Sequence, residues 1–257
     1  MRASSSIALL LASVAVARDV PANLKTFYDA HKNGKCTNSI SIAYSSGQKN
    51  ADTNYCKDTA SGAIYLKDTS NGYADIDIDC DGAATCENDG SWQGQTAFQD
   101  KVKSFSNGAV KDLNTHIHTF VVLGNDNSKS EGDGGKKFDA TKDGGIEPLS
   151  VVAVVCGDKL VYGVYGDING GKVTGESSLS LAKMCFPNEG LSGDNGHTQH
   201  DVLYLAFPGS EAVAKSAAWG AKTAKEFEAS LATIGDKLVK KIGAKAKSRV
   251  VRGTITV

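Results

Sequence analysis

The chain has 257 residues, is 40% hydrophobic and 22% charged, and carries a formal net charge of −1 at neutral pH. Its 28 glycines follow no period and its apolar share is too large for a disordered chain, which excludes collagen-like and unfolded classes. No apolar run reaches the ~20 residues of a membrane span, the near-zero charge argues against a nucleic-acid binder, and enough chain remains to bury a sizeable core.

Met1-Arg2, the apolar run 7–12 and the small residues Ala15-Val16-Ala17 have the pattern of a secretory leader cut after Ala17, with an extracellular product. Residues 18–257 then form a single domain with a Lys-rich helical C-terminal part from about residue 209. All six cysteines stay in that mature chain, and an even count in an oxidising compartment points to disulfides. Nearest-neighbour closure pairs Cys36–Cys56, Cys80–Cys86 and Cys156–Cys185; no C-x-x-C spacing favours zinc instead.

Leu24, Phe27 and Tyr28 predict a helix over Pro21–His31. Short strands are predicted at Ser41–Tyr44 and Ala63–Leu66 between turn-rich stretches, and a helix at Thr96–Phe105. Ile117–Leu123 reads as a buried strand, followed by a long aperiodic loop over Gly124–Glu147. Val151–Cys156 and Leu160–Tyr165 flank Gly157-Asp158 as a hairpin. A glycine-rich turn leads to a helix at Glu176–Met184, a strand at Val202–Phe207, an amphipathic helix through Phe227, Leu231, Ile234, Leu238 and Ile242, and a closing strand at Thr254–Val257. The order of elements fits a mainly β domain with peripheral helices better than βαβ alternation.

No G-x-S-x-G elbow, P-loop or G-x-G-x-x-G occurs. His116-x-His118 on a strand with His197-x-x-His200 would make a zinc site conceivable, but H-E-x-x-H is missing and structural roles fit better, so no metal or other cofactor is assigned. Asp75, Asp77, Asp79 and Asp81 share one face if their segment is extended. Such a stripe meets either a cation or solvent at a sheet edge. From Tyr162 to Glu176, a strand delivers Asp167 to its end, Gly170-Gly171 clears space, and Glu176 opens a helix. Two carboxyl groups across an open turn suit acid–base hydrolysis of a glycosidic bond, which needs one protonated and one ionised acid.

Asp77-Ile78-Asp79-Cys80-Asp81-Gly82, Gly94-Gln95-Thr96-Ala97-Phe98, Pro148-Leu149-Ser150, the stretch from Gly166 to Glu176 and Phe186-Pro187-Asn188-Glu189-Gly190 together resemble the secreted fungal chitosanases of glycoside hydrolase family 75. The likeness runs from about Val20 to Phe207 and loosely through the C-terminal helix; Ile168 and Ser177 stand where the family motif has Thr and Ala. The resemblance implies endo-hydrolysis of β-1,4-linked glucosamine chains with inversion, a catalytic domain on a double-psi β-barrel core, and Asp167 and Glu176 as the essential acids. Two carboxylates and water suffice for that reaction, so no cofactor is expected, and a monomer that meets neither membrane nor nucleic acid is the further expectation. Residues 18–208 carry a net charge of −8, which suits a polycationic substrate. Asp75, Asp77, Asp79, Asp81, Tyr165 and Asn169 are the candidate substrate contacts, with Tyr73, Trp92 and Tyr165 as aromatic platforms. Glu176 is favoured as acid and Asp167 as base, although a helix N-terminus would lower the pKa of Glu176, so the exchange of roles stays open. A carbohydrate-binding or expansin-like wall protein on the same barrel is the alternative.

Overall fold

The structure is a computed structural model that describes residues 18–47, 51–87, 94–126 and 137–243. The expected leader, Trp92 and the closing strand expected at Thr254–Val257 lie outside the described residues. The first half contains β1 (Arg18–Asp19), α1 (Ala22–Lys32), β2 (Tyr44–Ser45), β3 (Ala51–Lys57), β4 (Ile64–Asp68), β5 (Ala74–Asp79) and α2 (Gln99–Phe105). There follow β6 (Phe120–Asn125), β7 (Val151–Cys156), β8 (Lys159–Asn169), β9 (Glu176–Ser178), α3 (Leu179–Cys185), β10 (His197–Ala206) and α4 (Ala224–Val239). Mainly β architecture with peripheral helices is what the sequence predicts.

Strands β8, β6, β9, β5, β10 and β7 pair in that order, and β7 pairs back onto β8, so the six close a ring. Within it β6 runs parallel to β8 and β5 parallel to β9, while the other pairs are antiparallel. β4, β3 and β2 extend outward from β10, and β1 caps the free edge of β8.

The unbroken apolar run of β7 is explained by burial on both faces. Val151, Ala153 and Val155 enter a core with Phe227 and Leu231 of α4, whereas Val152 and Val154 enter a second core with Val121 and Tyr204. The β7–β8 hairpin closes in two residues, with Gly157 at φ 63 supplying the positive φ that such a turn requires. Gly235 lets α4 approach closely: a Cβ there would lie 2.5 Å from the Tyr162 ring, whose hydroxyl donates to Asp236 at 2.8 Å.

All three disulfides form as the sequence spacing predicts, Cys36–Cys56, Cys80–Cys86 and Cys156–Cys185. Four local expectations need correction. The segment predicted as a helix from Glu176 begins as β9, and α3 starts only at Leu179, because Ser178 acts as its N-cap by accepting from the Leu181 N–H at 3.3 Å. β3 replaces part of a predicted turn region, and Ser41–Tyr44 is extended only from Tyr44. His116 and His118 precede β6 rather than lying on it.

Candidate active site

Three neighbouring strands bring the two predicted acids together. Asp167 of β8 pairs with Val122 of β6, and the antiparallel register Val121–Ser177 sets Glu176 of β9 beside Val122 on its other side. Residues paired across a sheet point to the same face, so Asp167, Val122 and Glu176 form one row. Two strand spacings separate the outer backbones by about 9–10 Å. A polar cleft of about 140 Å³ opens over that row, lined also by Ile78, Asp79, Asp81, Ile168, Asn169 and Gly170.

Asp167 is 5% exposed. One of its carboxylate oxygens accepts from the Ala97 N–H at 2.8 Å and from its neighbour Ile168 at 2.7 Å. Those two donors favour the ionised form. Burial outweighs them, with the negative charges of Asp79 and then Asp81 adding to it, and the carboxyl is pushed up to about 8. One oxygen of each of Asp79, Asp81 and Asp167 lies within 4.8 Å of the others, a set that can hold a hard cation or an ammonium group. Asp79 is fixed by the Asp81 N–H, which donates to its side chain at 2.8 Å.

Glu176 is half-buried, and the Asn169 side-chain amide donates to one of its oxygens. Asn169 in turn accepts from the Gly171 N–H at 2.7 Å, so it links the end of β8 to the glycine turn and to Glu176. Asp77 pairs with Glu176 across β5 and β9 but does not line the cleft; burial raises its carboxyl to about 6, and Gly47 packs directly over it.

Besides Asp77, two more predicted contacts lie outside the cleft lining. Asp75 is 1% exposed, has no hydrogen-bond partner on either oxygen, and is pushed up to about 9 chiefly by burial. It shares the stripe's face, but the chain before Glu176 closes over it at Gly175. Tyr165 is 1% exposed, packs edge-on against Phe98 at 4.8 Å and borders a neighbouring hollow rather than the acidic cleft. Tyr73, offered as a sugar platform, is also buried, with its hydroxyl on the Tyr28 carbonyl. The stripe therefore divides: Asp79 and Asp81 line the cleft, whereas Asp75 is buried under Gly175 and Asp77 packs against Gly47 outside the lining.

The histidines do not gather into a metal site among the described residues. His116 and His118 bond the backbone carbonyls of Thr85 and Trp219. His197 sits between Glu189 and Asp201 while stacking on Phe186, and His200 bridges Asp68 to Ser46. Sequence reasoning missed Asn125 and Tyr55, both buried and both bonded to the chain that leads into Glu176. The only sequence signal for Asn125 is an amide closing an apolar run.

A family model described as fungal chitosanase of glycosyl hydrolase group 75 matches residues 76–241. An endo-chitosanase of Aspergillus oryzae (strain ATCC 42149 / RIB 40) is 47% identical over 248 residues, covering 93% of this chain and 98% of its own. An endo-chitosanase of Aspergillus fumigatus is 46% identical over 246 residues, with the same coverage. Endo-chitosanase C of Aspergillus oryzae is 36% identical over 178 residues, 68% of this chain and 40% of that one.

Proposed function

The chain belongs to the fungal chitosanases of glycosyl hydrolase group 75, and we propose that it cuts β-1,4 bonds inside chitosan with Asp167 as general acid and Glu176 as general base. It is a glycoside hydrolase, an endo-chitosanase like its relatives. The observation that carries the choice of residues is the row Asp167–Val122–Glu176 beneath one cleft. Its width is compatible with the ~6.5–9.5 Å between carboxyl groups that an inverting pair uses to admit a water.

The environments of the two acids support their roles. Asp167, raised to about 8, holds a proton at the mildly acidic pH where chitosan is charged and soluble. It donates that proton to the glycosidic oxygen as the bond to C1 breaks. Glu176, facing the Asn169 amide, takes a proton from the water that attacks C1 from the opposite side. This exchanges the roles favoured from sequence. The helix-terminus argument lapses because Glu176 stands on a strand, and burial falls on Asp167 instead. The ammonium of a glucosamine unit rests against Asp79 and Asp81, where the cleft is most negative. Asn169 serves Glu176 more directly than it serves substrate.

The closed six-strand ring with two parallel pairs supports a double-psi barrel core within one catalytic domain, and three disulfides support an extracellular, secreted protein. Viscosity and reducing ends followed together on highly deacetylated chitosan test the activity: viscosity falls while few ends appear. Asp167→Asn and Glu176→Gln fold normally and lose activity by several orders of magnitude; substantial turnover in either variant would move the catalytic pair elsewhere.

A further inference from the structure

We propose that Asn125 and Tyr55 are positioning residues that fix Glu176 relative to Asp167 by fastening the Gly171–Thr174 segment to β6. This rests on the assignment of those two acids. The chain leaves β8 at Asn169 and enters β9 at Glu176, so the intervening turn decides where Glu176 stands.

Both hydrogens of the Asn125 amide are committed to that turn, donating to the carbonyls of Gly171 and Val173 at 2.8 Å each. Asn125 is 2% exposed, and its carbonyl oxygen has no hydrogen-bond partner. An orphaned buried acceptor costs free energy that an apolar side chain of similar size would avoid. The amide is therefore explained by its two donors, not by packing. One residue earlier, the Gly124 N–H donates to the Tyr55 hydroxyl at 2.8 Å, and that hydroxyl is 2.9 Å from Thr174 Oγ1. Tyr55 is 1% exposed and stacked on Phe138, so its hydroxyl is a fixed point.

Val122, which separates the two acids, lies on the same strand as Asn125 and as Gly124, whose N–H holds the hydroxyl of Tyr55 on β3. The spacing of the acids is thus set from β6, and the path of the turn from β6 together with the Tyr55 hydroxyl that β3 brings against it. A misplacement of ~1 Å at a reacting group costs on the order of 100-fold in rate. Loss of either anchor should lower turnover while leaving the cleft that binds the polymer in place.

The test measures kcat and KM on a glucosamine hexamer for Asn125→Asp, Tyr55→Phe and Glu176→Gln, with melting curves to confirm folding. Asn125→Asp and Tyr55→Phe should lose ~10–100-fold in kcat with KM changed less than about threefold. Asn125→Asp should also recover toward native activity as pH falls, because a protonated carboxyl returns one donor to the turn. Native kcat in both folded variants, or a rise in KM with kcat unchanged, would overturn the proposal. Should Asn125→Asp fail to fold, Tyr55→Phe decides alone, since it removes one hydroxyl. Turnover by Glu176→Gln would instead refute the underlying site assignment; an inactive Glu176→Gln beside fully active anchor variants would refute the anchors only.

Discussion

Replacing Asp79 by Asn should move the alkaline limb of activity to lower pH, since Asp79 is the largest charge holding a proton on Asp167. The two carboxyl groups approach within 4.8 Å. At an effective dielectric of ~20, two charges that close repel by about 3.5 kcal/mol, or ~2.5 pKa units. That is a ceiling, because burial is the larger cause of the rise from 3.8 to about 8. A downward shift of ~1–2 units follows for the free enzyme. The assay is kcat/KM on a glucosamine hexamer from pH 5 to 9, which reports free-enzyme ionisations. Dividing variant by native values cancels the titration of the substrate amines. The ratio should fall steadily above the variant's new pKa and level off above about 8. A flat ratio, or one that rises with pH, would refute the link between Asp79 and the protonation of Asp167.

Asp75→Asn should stabilise the protein increasingly as pH rises. The folded carboxyl keeps its proton up to about 9, whereas an unfolded one loses it near ~4, so native stability declines across that window. The gain in melting temperature should be larger at pH 8 than at pH 5; equal gains would contradict it. Opening Cys156–Cys185 by a double Ser substitution releases a closure of 29 residues, worth ~3–4 kcal/mol in chain entropy. The urea midpoint should drop accordingly, and an unchanged midpoint would show that the bridge adds nothing.

Where side-chain pattern alone determines structure, the sequence is sufficient. Leu24 and Phe27 mark α1, the two-residue Gly157-Asp158 link marks the β7–β8 hairpin, and short loops pair the cysteines. Asp167 and Glu176 were legible because a glycine turn between two acids is a local feature. Their environments were not. Whether Asp75 lies under a turn or Asp79 faces a cleft depends on the strand pairing of β5 with β9, which no period reports. The same holds for Glu176, whose place on a strand follows from pairing with β5 and β6 rather than from its own sequence. Tyr165 alternates correctly as a strand residue, yet sits on the core face because β8 and β6 shift register beside Asp167. Asn125 and Tyr55 are distant in sequence from the turn they hold, so only the folded chain brings them to it.

The central claim is that Asp167 and Glu176 act in line through a water and invert the anomeric carbon. Proton NMR of a glucosamine hexamer, recorded within minutes of adding enzyme and before mutarotation, tests it most directly. The α-anomer should appear first at the new reducing end. First appearance of the β-anomer would mean retention, and would contradict an acid and a base separated by the width of Val122.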